Sequence, residues 1–323
     1  MMDQIKILAA ESLGVRSLCC LVEKDDKKIL IDPGFALGYT RHGLHPHPIQ
    51  AAVVEIIRKK ITSELKEAGD LVFSHFHGDH IPFEKANVYQ LNLKNVRRYL
   101  KTPRVWSKSI EDESHKFKER AWDLRMNCEN FTAAEGLSVG DMTFSQTVPH
   151  GEKDSSLGNV MMTKIKINNK TFVHASDIQF LYTPTIEKIM ELSPDIVIAS
   201  GPPLYLSHVD KKMAQEAASN ILYLSSQADT LIVDHHLLRS EAGLFYLREL
   251  NEKSQNKIIS AADFMGIPPF LLEARREELY DRFPVPAEWH QKYEAGLADT
   301  SNYLLRARKG LAHFEELLSL YSI

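Results

Sequence analysis

"SHFHGDHIP", residues 74–82, places three of the chain's 14 histidines and one aspartate within the six positions His75 to His80. At this composition, a chance match to His-x-His-x-Asp-His anywhere in the chain has a probability on the order of 0.001. The cluster follows "DLVFS" (70–74), a short apolar run that reads as a strand. Its side chains therefore emerge at a strand's carboxyl end, where layered α/β folds bind ligands. A His-x-His pair in an extended turn puts two imidazoles within reach of one cation. Asp79 and His80 offer a carboxylate and an imidazole to a second. Nitrogen and carboxylate donors without thiolate suit Zn²⁺ first, with Fe, Mn or Co as alternatives. The competing interpretation is a solvated histidine-rich loop.

Outward from the cluster, β-rich runs recur at 5–10, 17–23, 28–34, 142–150, 160–167, 170–177, 195–200 and 229–236. Each is short, β-branched or aromatic, and closed by a turn residue. "INNKT" between two of them reads as a hairpin, with Asn168–Asn169 in left-handed positions. Helical periodicity covers 48–69, which opens with a proline and ends on glycine. It also covers 84–126 as two helices broken near Pro103, then 210–227, and most of 240–323. The expected organisation is one layered α/β domain over residues 1–323. Helical insertions fall at about 38–68 and 84–126, and a helical C-terminal extension at about 240–323.

"HFHGDH" resembles the His-x-His-x-Asp-His signature of the metallo-β-lactamase superfamily. That resemblance implies an αβ/βα four-layer sandwich with a two-metal site at one edge, and further ligands in a set order. "ILIDPG" supplies Asp32, which supports the metal loop, although an Asp-Pro-Gly turn alone carries no such meaning. "SQTVPHG" supplies His150, "TFVHASDIQ" supplies Asp177, and "TLIVDHHLL" supplies His235, with His236 the alternative. The resemblance thus assigns His75, His77 and His150 to one zinc, Asp79, His80 and His235 to a second, and Asp177 to both. His174 reads as a buried supporting or core residue. Asp234 is a candidate to orient an imidazole. The chain is most similar to an uncharacterised, largely archaeal group of metallo-β-lactamase-fold hydrolases, including "DHHLLR" (234–239) and "FMGIPPFLLEARREELY" (264–280).

Such a site implies hydrolysis with metal-activated water and Asp79 as a ligand or proton acceptor. The superfamily's di-iron redox branch carries an acid where this chain has His77. No nucleophile elbow, Walker loop or dinucleotide fingerprint competes. The expected substrate is a phosphodiester or other anionic ester, either a small molecule or one derived from nucleic acid. The alternatives are thioester or lactam-type acyl hydrolysis, and a metal-stabilised binding protein without activity. Candidate substrate contacts are Arg239, Lys153, Ser155 and Ser156, together with His45 and His47 from the histidine-rich segment after Asp32. Arg239 reads equally as a helix-surface charge, and the histidines equally as helix-capping residues.

A net charge of −4 argues against a general nucleic-acid binder. Three cysteines with no Cys-x-x-Cys read as buried, reduced thiols. The absence of a signal-like segment or a long apolar stretch points to the cytoplasm and to no membrane partner. The apolar helices near 48–69 and 300–323 either bury a self-association surface, giving a homo-oligomer, or pack on their own core.

Overall fold

A computed structural model describes residues 3–111, 113–153 and 156–321. Six strands form the first sheet in sequential order: β1 (Gln4–Ala10), β2 (Leu18–Lys24), β3 (Lys27–Ile31), β4 (Asp70–Phe73), β5 (Arg104–Ser107) and β6 (Asn130–Ala133). The first three pair antiparallel, and β3 through β6 run parallel. The second sheet repeats that plan. It contains β7 (Ser138–Val139), β8 (Met142–Phe144), β11 (Thr163–Ile167), β12 (Lys170–Ser176), β13 (Ile196–Ala199), β14 (Thr230–Val233) and β15 (Ile258–Ile259). Here β12 through β15 are parallel. A small ribbon of β9 (Val148–Pro149) and β10 (Asn159–Val160) stands apart.

Strand alternation sorts the layers. On the second sheet Ile165, Phe172, Ile198 and Ile232 share one apolar cluster with β1–β5, which is the inter-sheet core. Their neighbours Val173, Val197, Leu231 and Val233 belong to another cluster. That cluster also takes Ile186 and Ile189, Ile221 and Leu224, and Leu247 and Leu250 from helices Thr183–Glu191, Lys211–Gln227 and Glu241–Lys253. Strand side chains alternate faces, so the sheet is covered on both sides. On the first sheet, helix Pro48–Glu67 packs against β1 and β3. The result is the αβ/βα layering that the resemblance implies.

Three departures from the expected elements share a cause. The segment 84–126 holds not two long helices but a short turn of helix (Leu93–Val96), the strand β5, and helix His115–Met126. Strand β6 follows unannounced, and β15 interrupts the helical tail. Each missed strand has two to four residues, too few for a period of two to show. The expected strand over 142–150 is split into β8 and β9. In the β11–β12 hairpin only Asn168 takes a positive φ, of 53°. All three cysteines are buried and unbridged. No helix among the described residues is long and apolar enough to cross a membrane.

The histidine-rich segment after Asp32 has a structural use. His47 is the N-cap of helix Pro48–Glu67: its Nδ1 accepts from the Ile49 amide at 3.0 Å. Its Nε2 donates to the Phe283 carbonyl at 2.9 Å. Gln50 closes the capping box by accepting from the His47 amide. Both ring nitrogens are therefore committed away from the metal loop, and this placement does not make His47 a substrate contact. Burial, then the nearby Arg306 charge, pushes His47 down to about 4. Protonating Nδ1 would set a donor against the Ile49 donor. The unfolded chain, at about 6.5, binds the proton first. Stability is thus full above about pH 6.5 and falls as pH drops towards 4, by up to about 3 kcal/mol from this group. His47→Asn keeps the cap and is expected to flatten that part of the pH profile, read from denaturant midpoints at pH 7 and 4.5. Identical profiles in variant and wild type would overturn the assignment.

Candidate metal centre

Every candidate ligand lies just past a strand's end. The β4 chain ends at Phe73 and releases Ser74 and the His75–His80 loop; β9 leads to His150; β12 ends one residue before Asp177; β14 leads to His235 and His236. Two of these exits carry positive φ at non-glycine residues, Ser176 at 52° and His235 at 30°, as does Asp32 at 48° just past β3. A register shift between His174 and Ser176 interrupts the end of β12, where the Ser176 hydroxyl meets Ser74 and Asp32 of the first sheet's loops. Backbone strain of this kind gathers where the surrounding structure fixes a site.

Asp177 is the hub. Its Oδ2 lies 3.4 Å from Nε2 of His75, His150 and His236, and 3.7 Å from Nδ1 of His77. Its Oδ1 lies 3.1 Å from Nε2 of His80 and 3.5 Å from Nε2 of His235. His235 Nε2 is also 3.4 Å from Asp79 Oδ2. Asp177 is fully buried, yet among the described residues neither oxygen has a hydrogen-bond partner; nor do Nε2 of His75 and His80 or either nitrogen of His150. Buried polar atoms are ordinarily paired. So many unpaired donor atoms converging on one point fit a bound cation. Among the described residues four overlapping groups could hold one: His75, His77, His150 and Asp177; Asp79, His80 and His235; Asp177, His235 and His236; and Asp32, His75 and His80.

Two of the imidazoles are in the form ligation needs, whereas Asp177, against burial, holds His80 well above its ordinary value. Burial, followed by the charges of His80 and His77, pushes His75 down to about 4. Burial and the Arg239 charge do the same to His236. Both are neutral at pH 7 and present lone pairs, as metal ligation requires. Burial opposes charge on Asp177, but His80 and its neighbouring imidazoles outweigh burial and keep it well below the usual carboxylate range.

Asp32 supports the loop rather than joining the hub. Its Oδ1 accepts from the Ser74 amide at 2.8 Å. Its Oδ2 accepts from Ser74 Oγ at 2.6 Å, from Ser176 Oγ at 2.7 Å and from His80 Nδ1 at 3.2 Å. One carboxylate thus ties β3, β4 and β12 together and aims His80 Nε2 at Asp177. Gly34 lets the two loops meet: a Cβ there would fall 2.3 Å from the backbone of His80 and Ile81.

Sequence reasoning missed the partners of these residues. Ser74 and Ser176 bond Asp32, and Gln179 Nε2 bonds His236 Nδ1 at 2.9 Å. Glu11, wholly buried, lies 3.5 Å from Arg239 Nε and has no hydrogen-bond partner among the described residues. Burial, then the Glu273 charge, raises Glu11 to about 8. Nothing in a lone "AAES" marks such a glutamate. Arg239 is no surface charge. It is buried, with Nη2 2.8 Å from His235 Nε2 and 3.3 Å from Asp79 Oδ2, and Nη1 3.2 Å from the Tyr205 hydroxyl. Asp234 orients no imidazole: it accepts from the amides of Ser12, His235 and Ala261. His174 is buried on β12, its Nε2 2.8 Å from the Leu18 carbonyl. His45 is exposed and packs edge-on to Tyr39, outside the four donor groups. Lys153 and Ser156 are exposed, and Ser155 lies outside the described residues.

Among known proteins, the chain is 44% identical over 303 residues to a UPF0282 protein of Methanosarcina mazei, covering 94% of this chain and 100% of that one. It is 34% identical over 287 residues to a UPF0282 protein of Thermococcus gammatolerans, covering 85% and 94%. Among solved structures it is similar to a metal-dependent hydrolase of the beta-lactamase superfamily, with TM-score 0.47 and 12% identity, covering 80% of this chain and 94% of that one. An isothiocyanate hydrolase from Delia radicum gut bacteria gives TM-score 0.45 and 17% identity, covering 76% and 94%. No family model matches the chain.

Proposed function

We propose that this chain, which belongs to the UPF0282 family, is a metal-dependent hydrolase with a dinuclear, most readily zinc, site acting on an anionic ester such as a phosphodiester. The observation that supports this is the buried Asp177 carboxylate, without a hydrogen-bond partner among the described residues yet ringed by six imidazole nitrogens at 3.1–3.7 Å. His75, His77 and His150 would hold one ion and Asp79, His80 and His235 the other, with Asp177 between them and His236 beside the first. When bound, the metals would supply water activation near neutral pH and polarisation of the scissile group.

The chain's own residues do the rest. Asp79 is the carboxylate of the set that solvent reaches, with 17% of its side chain exposed against 1% for Asp177 and none for Asp32. Arg239 lies beside it, and His235, then His80 and Arg239, hold Asp79 well below the usual carboxylate range although burial opposes this. Asp79 is therefore placed to accept a proton from water arriving at the open side. Arg239, whose donors are engaged by Tyr205, His235 and Asp79, brings a positive charge to this side of the site, which favours anionic esters over neutral acyl substrates.

The test is metal analysis of protein purified without chelator, coupled to turnover of bis(p-nitrophenyl) phosphate, acyl thioesters and lactams. About two equivalents of divalent metal and phosphodiester turnover are expected. Protein that carries no metal would overturn the proposal, and acyl-thioester turnover alone would reverse the substrate order. Asp79→Asn is expected to lower kcat by about 10²–10⁴-fold, and the loss should persist when metal is supplied in excess.

A further inference from the structure

A groove of about 360 Å³ opens beside the metal loop, and His77 and Asp79 form part of its lining. The far wall comes from Asn87 and Gln90 in the loop before β5 and from Arg120 on helix His115–Met126. Its polar inventory is one-sided. Asn87 Oδ1 is occupied by the Tyr89 amide at 2.9 Å, and Gln90 Oε1 by the Asn87 amide at 3.2 Å. Those bonds fix the amide orientations. They leave both side-chain NH₂ groups without a hydrogen-bond acceptor among the described residues.

Arg120 adds a cation. Its guanidinium stacks over the Phe83 ring at 4.7 Å. It makes no hydrogen bond and no ion pair within 4 Å among the described residues. The carboxylate one residue away, Glu119, is engaged by Lys85 at 2.5 Å. Arg16, the other arginine lining the groove, is bound to the buried Glu273. Arg120 also sits close to the metal loop: a Cβ built on Gly78 would lie 3.5 Å from its Nη1 and 2.8 Å from Phe83 Cε1. Glycine between His77 and Asp79 is what admits the Phe83–Arg120 stack against the loop.

A half-buried guanidinium held flat by an aromatic ring, with two unspent amide donors in the same wall, recognises an acceptor-only group. From this we infer that the groove is a second anion subsite. The substrate is a small ester that presents its scissile group at the metal loop and a further carboxylate or phosphate to Arg120, Asn87 and Gln90. A groove of this size holds a small molecule, and the chain's net charge of −4 is not that of a polyanion binder. The inference rests on the metal-hydrolase reading of the adjoining site.

The test is calorimetric binding to the metal-loaded protein, with methylphosphonate as the one-anion probe and phosphonoacetate and 3-phosphonopropionate as two-anion probes. Wild type is expected to bind at least one two-anion probe about tenfold more tightly than methylphosphonate. Arg120→Gln should remove that advantage while metal content and methylphosphonate affinity stay within about twofold, and Arg120→Lys should restore part of it. Two results would overturn the subsite: metal-loaded wild type that binds both probe classes equally, or Arg120→Gln that weakens both alike. Protein that takes up no metal would instead overturn the reading of the metal centre itself, so the two failures are distinct.

Discussion

Asp177→Asn should strip the protein of bound metal and reduce hydrolysis by more than about 100-fold, a scale that even supporting residues of metal sites reach. The amide keeps the shape of the side chain but replaces one acceptor with an NH₂ donor and removes the charge. Both Asp177 oxygens face imidazole nitrogens, and neither has a hydrogen-bond partner among the described residues. The variant therefore loses the one group that serves both halves of the ligand set. The metal-free state should respond in the same sense. Without a cation, the surrounding imidazoles, His80 first, hold Asp177 well below the usual carboxylate range against burial, so the metal-free variant loses that attraction and should unfold at a lower temperature than metal-free wild type. Chelator should lower the wild-type Tm and leave that of Asp177→Asn unchanged. A variant that retains full metal content would overturn the hub assignment.

Asp32→Ala is expected to destabilise the metal-free protein by about 3–5 kcal/mol, the cost of breaking a buried charged network. The change leaves the Ser74 amide and the hydroxyls of Ser74 and Ser176 without their acceptor, and releases His80 Nδ1. It also puts alanine at a φ of 48°, in the left-handed region that side chains disfavour. Asp32→Asn tolerates that backbone and keeps one acceptor, so its loss should be smaller. Denaturant midpoints in the presence of chelator measure both without a contribution from metal. A change below about 1 kcal/mol for Asp32→Ala would show that the carboxylate does not hold the three strands together.

Ligand legibility followed spacing. His75, His77, Asp79 and His80 stand in one loop, where a local pattern suffices, and the strand before them is apolar and continuous. His150, Asp177 and His235 could be proposed because each closes a recognisable strand and their order matches a known plan. Arg239 could not be weighed from sequence, because a charge four residues after a histidine looks the same on a surface as in a site. Its burial comes from Glu11, 228 positions away, and from Tyr205. Likewise, the histidines of the segment after Asp32 are chemically suited to a metal edge, yet His47 caps a helix because the Phe283 carbonyl comes from the distant C-terminal segment.

What the sequence offered by itself was the His75–His80 cluster and the α/β character of the runs around it, since both depend on near neighbours or on the alternation of a strand. The wider candidate set of His150, Asp177 and His235, its order and the αβ/βα layering came as what the resemblance implies. Only the tertiary structure decided which atoms converge. The pairing of Asp177 with six imidazoles, the tie from Asp32 to Ser176, and the groove walled by Arg120 each join residues from separate strands and helices. Their distances are set by sheet register and helix packing, quantities that no local run of residues encodes.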